Sequence, residues 1–341
     1  MKKSSHLKVV SLALLCVARF ATAADHTVTS NLNEGEGTLR NLVAAAGQED
    51  RILIPEGMVI TITERISIGG KSLTLEGEGG GATITGGGTN TLIRWEAGGR
   101  TLKCNNLTFS NGHALSGDGG GAIWLGWSTG IMLSNCTFVG NSALGRRGGA
   151  IYHQNNWADL KAIDCRFINN TAKEGGAYSG WAMFGYTFDN CTFDSNTATS
   201  QGGAIYGSYM TNNFNSASPG LAVNCTFTNN TASQGGVIYS AFATQTFEDC
   251  LITDNRATSN GGVLYQAGGA GKTVVFRRCR VQANEGVGGG TIYSNNGQVY
   301  MYDSIFRLPD PVGKWLGTFC CATPFDRRFS CLFPGDEIRF D

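Results

Sequence analysis

Proline and histidine are scarce in this chain, and neither sign of charge is in excess. Only 6 of its 341 residues are proline and 4 are histidine. Acidic and basic residues balance at 26 each and together make up 15% of the chain, so a basic surface for nucleic acid or anionic lipid is not expected. Glycine is abundant, at 49 residues, but it lacks the G-X-Y period of collagen, and 41% hydrophobic residues argue against disorder. Glycine is therefore expected to mark many turns.

Long apolar runs are also missing, apart from a short one near the start. Three lysines stand before or at the edge of the run Val9–Ala18, and the small residues Ala21 and Ala23 follow it. This pattern predicts a signal peptide over residues 1–23 with cleavage after it. The run is too short for a membrane anchor. We therefore expect a secreted or cell-surface protein, associated with the outer membrane in a Gram-negative cell, with no membrane span once the signal is removed.

A motif built on cysteine recurs through the middle of the chain at intervals of 25 to 34 residues. An asparagine stands five residues after each cysteine, and a glycine pair begins ten to twelve residues after it. Leu107 takes the cysteine position in an earlier copy and Ser304 in a final one. The nearly fixed spacing inside the motif and the variable spacing between copies predict strands joined by variable loops. The cysteines are Cys136, Cys165, Cys191, Cys225, Cys250 and Cys279, and the asparagines are Asn141, Asn170, Asn196, Asn230, Asn255 and Asn284.

Self-similarity of this length predicts a solenoid. Each repeat holds three short β-type runs and no stretch suited to a helix, which favours an all-β fold, a right-handed parallel β-helix, over helical arrays. The β-helix is expected over residues 50–306, after an N-terminal cap at 24–49 that contains a short amphipathic helix (Leu39, Leu42, Val43 and Ala46 on one stripe). Residues 307–341 are expected to form a C-terminal cap or tail.

The repeated residues form a structural ladder in such a stack, because equivalent positions of adjacent turns lie about 4.8 Å apart. Cysteine and the aromatic residue two places later are predicted to face inward, and the asparagine to leave the strand at a corner in a left-handed conformation. The side chains of in-register cysteines point in the same direction and are poorly placed to form a disulfide, so buried free thiols are favoured over bridges. Cys191→Ser is expected to place a hydroxyl in the apolar stack without a sure hydrogen-bond partner. Cys104, Cys320, Cys321 and Cys331 lie off the row, and their disulfide state stays open.

Few residues of this chain are candidates for catalysis or metal binding. Acids recur before the cysteines (Asp164, Asp189, Glu248, Asp249 and Asp303), but they alternate with asparagine, so a polar corner row is favoured over a metal site. His113 and His153 have no motif partner and are interpreted as loop histidines. A glycosidase needs two carboxylates at one bond; Asp118, Asp159, Glu174 and Asp194 are present, and no pair stands out. No catalytic residue, metal or cofactor is assigned.

An aromatic residue follows the apolar residue after most glycine pairs, with Ser179 interrupting the series. Such a row is expected on the outer face, where it either stacks on sugar rings or packs on itself. The long insertion Gly207–Gly220 adds two further aromatic residues and three asparagines, and long loops on rigid scaffolds concentrate function. The candidate ligand-binding residues are Trp124, Tyr152, Tyr206, Tyr209, Phe214, Tyr239, Tyr265 and Tyr293.

The pattern "CTFxxN" followed by "GGAIY" resembles the repeats of the chlamydial polymorphic outer membrane proteins. The opening "HTVTSNLNEGEGTLRNLVAAAGQEDRILIPEG" is similar to the leading segment of many secreted bacterial β-helix proteins. The resemblance implies a parallel β-helix at the cell surface, without the membrane barrel that ends an autotransporter, since the segment after Pro309 is too short for one. The function expected is non-catalytic, adhesin-like binding of a polysaccharide or surface protein, and not of nucleic acid. A polysaccharide lyase or glycoside hydrolase, and a structural envelope component, remain the alternatives.

Overall fold

The computed structural model describes residues 23–88, 90–96, 98–115, 119–154, 159–181, 185–208, 220–241, 244–268, 273–288, 290–295 and 297–307, with the backbone of 320–321 and 337–340. Over these residues the chain is an all-β parallel solenoid of about nine turns with one helix. Successive strands of each sheet come from successive turns. The predicted parallel stack is thus confirmed, whereas the signal peptide falls outside the described residues except for its last one, Ala23.

The first strand of each turn belongs to sheet I, which has 11 strands. Alternate residues are buried, as with Ile52 and Ile54 in Arg51–Ile54, because successive side chains of a strand point to opposite faces. The segment expected to be an N-terminal cap also supplies a strand, since Asp25–Thr27 pairs with Arg51–Ile54. The strands are Asp25–Thr27, Arg51–Ile54, Leu73–Gly77, Arg100–Asn105, Thr129–Ser134, Asp159–Ile163, Gly185–Asp189, Gly220–Val223, Gln245–Glu248, Thr273–Arg277 and Gln298–Tyr302.

The second strand of each turn, which begins next to the cysteine, belongs to sheet II. Its inward phenylalanines stack with ring centroids 4.8–5.0 Å apart from Phe109 to Phe227, close to the spacing of neighbouring strands. The repeated aromatic residue therefore fills the interior as a continuous column. The parallel strands are Val59–Ile62, Ala82–Gly86, Leu107–Ser110, Thr137–Val139, Arg166–Ile168, Thr192–Asp194, Thr226–Thr228, Leu251–Thr253, Arg280–Gln282 and Ser304–Arg307.

The middle turns contain a fourth strand that the sequence analysis missed. It lies between the asparagine and the glycine pair and forms the 6-stranded sheet III. Its inward residues are small, such as Ala143 and Ala172, so the apolar alternation that marks a strand is weak there. The strands are Ser142–Arg147, Thr171–Glu174, Thr197–Gln201, Thr231–Ala232, Arg256–Ala257 and Glu285–Gly286.

The last strand of each turn follows the glycine pair and belongs to sheet IV. The turns differ most in length just after it, where sheet IV leads to the next strand of sheet I; the longest connection holds residues 209–219, outside the described part of the chain. The strands are Ile66–Gly69, Ile93–Glu96, Ile123–Leu125, Ile151–His153, Tyr178–Trp181, Ile205–Ser208, Ile238–Ala241, Leu264–Ala267, Ile292–Asn295 and Cys320–Cys321.

Left-handed residues turn the chain at two corners of the repeated coils, and the polar residues directly before the cysteines lie at the first corner, as predicted. The corner from sheet I to sheet II uses the residue before the cysteine, and the next corner uses the residue before the repeated asparagine. The prediction that the repeated asparagine is itself left-handed is therefore wrong: its neighbour adopts that conformation, and its own side chain turns inward. The left-handed residues are Asn135, Asp164, Asn190, Asn224, Asp249, Arg278 and Asp303 at the first corner, and Gly140, Asn169, Ser195, Asn229, Asp254 and Ala283 at the second.

The glycine pair makes the corner from sheet III to sheet IV. Gly202 has φ of +69°, and a Cβ atom on it would stand 2.1 Å from the carbonyl oxygen of Ile205. A Cβ on Gly203 would stand 2.1 Å from the carbonyl oxygen of Gly236 in the next turn. The pair is therefore required both by the left-handed backbone and by the close approach of adjacent turns.

The predicted helix forms as Leu39–Ala45. Thr38 caps its start by accepting a hydrogen bond from the backbone N–H of Asn41. Leu39 and Val43 are buried in the main apolar core, as the amphipathic stripe predicted. At the other end the Lys71 ammonium donates to the carbonyl oxygens of Val43 and Ala46, each at 2.7 Å, which suits a cation at a helix C-terminus.

The far end of the stack departs from parallel order. The strand Glu337–Phe340 pairs antiparallel with Ser304–Arg307, the last parallel strand of sheet II. It supplies partners to a backbone edge that would otherwise stay open. In the described part of the chain, no helix is both long and apolar enough to cross a membrane.

Candidate functional site

The six repeated cysteines stand in one inward row and are at most 2% exposed. The geometry gives their side chains a partner, because each thiol donates to the carbonyl oxygen two residues earlier; for Cys191 this is Asp189, at 3.3 Å. Ser304, which takes the same position in the last turn, donates to Tyr302 at 2.8 Å. The expectation that a serine would lack a partner here is therefore wrong. Cys104 is also buried, but it lies in sheet I, off this row.

The repeated asparagines form a second inward row of amide groups. The Asn196 amide nitrogen donates to Phe167 O at 2.9 Å and to Asn230 Oδ1 at 3.0 Å, while its oxygen accepts from Asn170. Both halves of each interior amide are thereby satisfied, as buried polar groups require. These residues, like the cysteines, are occupied with holding the turns together.

The residues considered for catalysis are dispersed. Glu174 lies in sheet III, Asp159 in sheet I and Asp194 in sheet II, so these three carboxylates do not share one groove, and Asp118 falls outside the described residues. Asp164, Asp249 and Asp303 are left-handed corner residues, while Asp189 and Glu248 end strands of sheet I. No group of side chains in the described ranges is arranged to hold a metal ion.

The interpretation of His153 as a loop histidine is wrong. It is the last residue of a sheet IV strand and is fully buried. Its Nε2 donates to Thr129 O at 2.6 Å, and its Nδ1 has no hydrogen-bond partner among the described residues. Burial lowers the pKa of this imidazole to about 4. His113 does lie outside the four sheets and contacts Ser142 through Nδ1.

The aromatic residues after the glycine pairs lie in register on the outer face of sheet IV. Tyr206 pairs with Tyr239, Tyr239 with Tyr265, and Tyr265 with Tyr293. Their rings stack with centroids 4.7–5.4 Å apart. Tyr239 is only 9% exposed as a result, and burial with the two neighbouring rings raises its pKa to about 12. This part of the row offers ring edges and hydroxyl groups to a ligand, rather than free ring faces.

The aromatic row is interrupted at Ser179, which pairs with Tyr152 on one side and Tyr206 on the other. Arg147 lies at this interruption, since its guanidinium carbon is 4.3 Å from the Trp181 ring centroid and 5.5 Å from that of Tyr206. The Ser179 hydroxyl is buried beneath, and no residue in the described ranges forms a hydrogen bond with it. A cation thus occupies the place where the repeat would put a ring, an arrangement that cation–π attraction stabilises.

Glu174 holds Arg147 in this position. The Arg147 Nε atom lies 2.6 Å from Glu174 Oε2, and the two residues pair across sheet III. Burial opposes the charge of Arg147, but the adjacent carboxylate outweighs that effect and raises the pKa of the guanidinium. Burial also raises the pKa of Tyr152, against the lowering effect of Arg147. The arginine is therefore a fixed cation beside neutral phenols.

A surface pocket of about 260 Å³ opens beside Arg147. Its wall includes a bulge in the strand Ser142–Arg147, where the pairing register with Thr171–Glu174 shifts. Arg146 and Lys173 also line it and are exposed, and neither forms an ion pair within the described part of the chain. The pocket lining thus carries three cations against the single carboxylate of Glu174. The lining residues are Gly119, Gly145, Arg146, Arg147, Tyr152, Lys173 and Glu174.

A row of polar side chains continues from the pocket alongside the tyrosines. Glu174 pairs with Gln201, and Gln201 is bridged to Gln234. The Gln201 amide donates to Gln234 Oε1 at 3.0 Å. The outer face of sheet IV therefore has a ring row with an amide row beside it, and the pocket lies at one end.

The structure brings some of the predicted binding residues together and separates others. Tyr152 and Tyr206 flank the pocket region, whereas Trp124 lies one turn further along, with the Arg94 guanidinium 4.2 Å from its ring centroid. Tyr209 and Phe214 are outside the described residues.

The sequence analysis missed the basic residues of the pocket, Arg146, Arg147 and Lys173. Two signals accompany them: Ser179 in place of an aromatic residue, and the Cys136-to-Gly148 distance, which is two residues longer than that from Cys165 to Gly175. The added residues form the bulge.

Three segments of the chain match the model of a known repeat family. The model of the Chlamydia polymorphic membrane protein repeat matches residues 135–154, 190–208 and 224–241. Each match runs from a left-handed corner residue through the cysteine, the asparagine and the glycine pair into sheet IV. The protein is a β-helix that resembles these repeats over the matched segments. No curated protein matches the chain significantly.

Proposed function

We propose that this protein is an exported, adhesin-like β-helix that binds an acidic polysaccharide on the outer face of sheet IV. The observation that carries the proposal is the fixed guanidinium of Arg147 in the gap of the aromatic row, with Arg146 and Lys173 exposed beside it. A carboxylate or sulfate group of a sugar is the ligand chemistry that such a cluster of cations recognises.

The size of the pocket supports one acidic sugar unit as its occupant. At about 260 Å³ it lies just below the roughly 300–1,000 Å³ typical of small-molecule sites. A longer ligand would extend from it along the row of tyrosine edges and glutamine amides. Amphipathic rings and amide groups are suited to the apolar faces and hydroxyl groups of sugars.

The rest of the chain fits an exported binding protein. We infer a right-handed solenoid, because parallel crossover connections are right-handed in about 98% of cases. We also infer that the helix Leu39–Ala45 closes the first turn, since Leu39 and Val43 cover apolar residues that no earlier turn can cover. The wide separation of Glu174, Asp159 and Asp194 favours binding over glycosidase chemistry.

The test is binding of the immobilised protein to polygalacturonate, dextran sulfate and neutral dextran at several salt concentrations. We expect binding to the first two and not to dextran, weakening as salt rises. The double variant Arg146→Gln/Lys173→Gln removes the two exposed cations without touching the Arg147–Glu174 pair. It is expected to weaken binding by about tenfold or more, as loss of charge-assisted hydrogen bonds does.

The matched control is Lys161→Gln/Arg166→Gln, which removes the same charge from exposed positions of sheets I and II. It should bind as the parent protein does. Equal weakening by both double variants would attribute binding to net charge alone and contradict the proposed site. Binding of neither acidic polymer would reject the acidic ligand.

A further inference from the structure

A buried carboxylate lies at the start of the described chain. Asp50 is 7% exposed, and its Oδ1 accepts a hydrogen bond from the backbone nitrogen of Ala24 at 2.8 Å. Its Oδ2 accepts from the backbone N–H of Gly47 at 2.7 Å and lies 2.7 Å from His26 Nε2. These hydrogen bonds, that of Ala24 first, lower the pKa of Asp50 to about 2, so the carboxylate is ionised at neutral pH.

Ala24 is the residue that follows the small residues Ala21 and Ala23 of the predicted cleavage site. Ala23 and Ala24 are exposed, so a peptidase can reach the bond between them. The Ala24 carbonyl accepts from the Arg51 N–H at 2.8 Å, which fixes the residue from its other end. The Ala24 nitrogen therefore sits at the carboxylate whichever group precedes it.

We propose that proteolytic hydrolysis of the Ala23–Ala24 bond completes this site, with the new α-ammonium group of Ala24 held by Asp50. Water adds across the C–N bond: Ala23 leaves as a carboxylate, and the freed Ala24 amine binds a proton. One ammonium proton takes over the existing hydrogen bond to Oδ1, and the other two face solvent. A neutral amide contact thereby becomes an ion pair, in which hydrogen bonds are shorter and stronger.

The consequence is that maturation stabilises the first turn. Asp25–Thr27, directly after Ala24, is the outermost strand of sheet I and pairs with Arg51–Ile54, directly after Asp50. The ion pair would clamp the two strands at the same end. The site lies in sheet I, away from the polysaccharide face, so its test does not depend on the binding proposal.

The test compares chains that begin at Ala24 with a free or an acetylated α-amino group, because acetylation removes the charge but keeps an N–H donor. In the parent sequence, acetylation is expected to lower the equilibrium constant for folding roughly five- to tenfold in urea titrations. In Asp50→Asn the effect of acetylation should vanish, even though this variant is less stable in both forms. The control Asp25→Asn removes an exposed carboxylate one residue away and should preserve the effect of acetylation.

Two further measurements test the ion pair between the Ala24 α-ammonium group and Asp50 without a comparison of stabilities. The α-amino pKa of the mature protein, followed by nuclear magnetic resonance, should exceed the ordinary value of about 7.7–8.0 and return to it in Asp50→Asn. N-terminal sequencing of the exported protein should begin at Ala24. A different first residue, or an acetylation effect of equal size in Asp50→Asn, would overturn the proposal.

Discussion

At the scale of single residues, the inward cysteine position is a site for any small group that donates a hydrogen bond. The thiol of Cys191 donates to Asp189 O, and the hydroxyl of Ser304 uses the equivalent oxygen of Tyr302. Hydrogen bonding from Cys165 and burial together raise the pKa of Cys191 to about 12. This thiol is therefore a poor nucleophile in the folded protein, and its role is packing.

Cys191→Ser should consequently be mild, costing about 1 kcal/mol in the free energy of unfolding, because the hydroxyl keeps a partner. Cys104→Ser is the matched control: this thiol is fully buried but donates no hydrogen bond within the described ranges. A hydroxyl there should cost about 2–3 kcal/mol. Chemical denaturation of the two variants checks the difference, and equal costs would refute the role of the Asp189 carbonyl.

His153 should make the fold sensitive to mild acid. Its pKa is lowered by burial from 6.5 to about 4, so the unfolded chain binds a proton more readily than the folded one. The contribution of the neutral imidazole to the free energy of unfolding is fully present above pH 6.5 and is lost as the pH falls toward 4. Between pH 7 and pH 5 the free energy of unfolding is expected to fall by about 2 kcal/mol.

Urea titrations at pH 7 and 5 measure this loss, which His153→Leu should abolish, since leucine stands at the paired position 125 of the neighbouring turn. Asp50 does not interfere, because its pKa of about 2 affects stability only at lower pH. An undiminished loss in the variant would assign the acid sensitivity to another group.

At the scale of elements, the corner formed by the glycine pair excludes a side chain more strongly than a left-handed backbone alone would. Gly202 and Gly145 both have positive φ, +69° and +74°. A Cβ on Gly202 collides with backbone, whereas one on Gly145 meets nothing within 4 Å. Gly145→Ala should therefore cost only the left-handed penalty of about 1–2 kcal/mol.

Gly202→Ala should cost about 4 kcal/mol or more, a range reached only when backbone or core must shift. Thermal unfolding followed by circular dichroism ranks the two variants. Similar melting temperatures for both would show that adjacent turns can move apart at this corner.

The elements differ in how far the sequence predicts them. The strands of sheets I and II alternate apolar and polar residues between turns, and those of sheet IV begin shortly after the glycine pair, so all three sheets are predictable from the sequence. Sheet III is hidden because its inward residues are alanines such as Ala172 and Ala198. The pocket is hard to predict for a related reason. Pairing between turns brings Arg147 and Lys173 to the same pocket, and the local sequence does not show which turns are paired.

At the scale of the whole molecule, the stacking of successive coils converts a weak local motif into a long, regular surface. Neighbouring turns repeat a residue along each sheet, and we expect ligand binding where that repetition fails. Among the described residues, a bulge, a missing ring and three cations meet at one such place on sheets III and IV. We propose that this place contacts the ligand.

Lysine acetylation footprinting tests that claim most directly, because Lys173 lines the pocket while the equally exposed Lys161 lies on sheet I. The protein is treated briefly with an acetylating reagent, with and without polygalacturonate, and each lysine is quantified by mass spectrometry. Saturating polymer should slow modification of Lys173 severalfold and leave Lys161 unchanged. Unchanged modification of Lys173 by bound polymer, or equal protection of Lys161, would contradict the account.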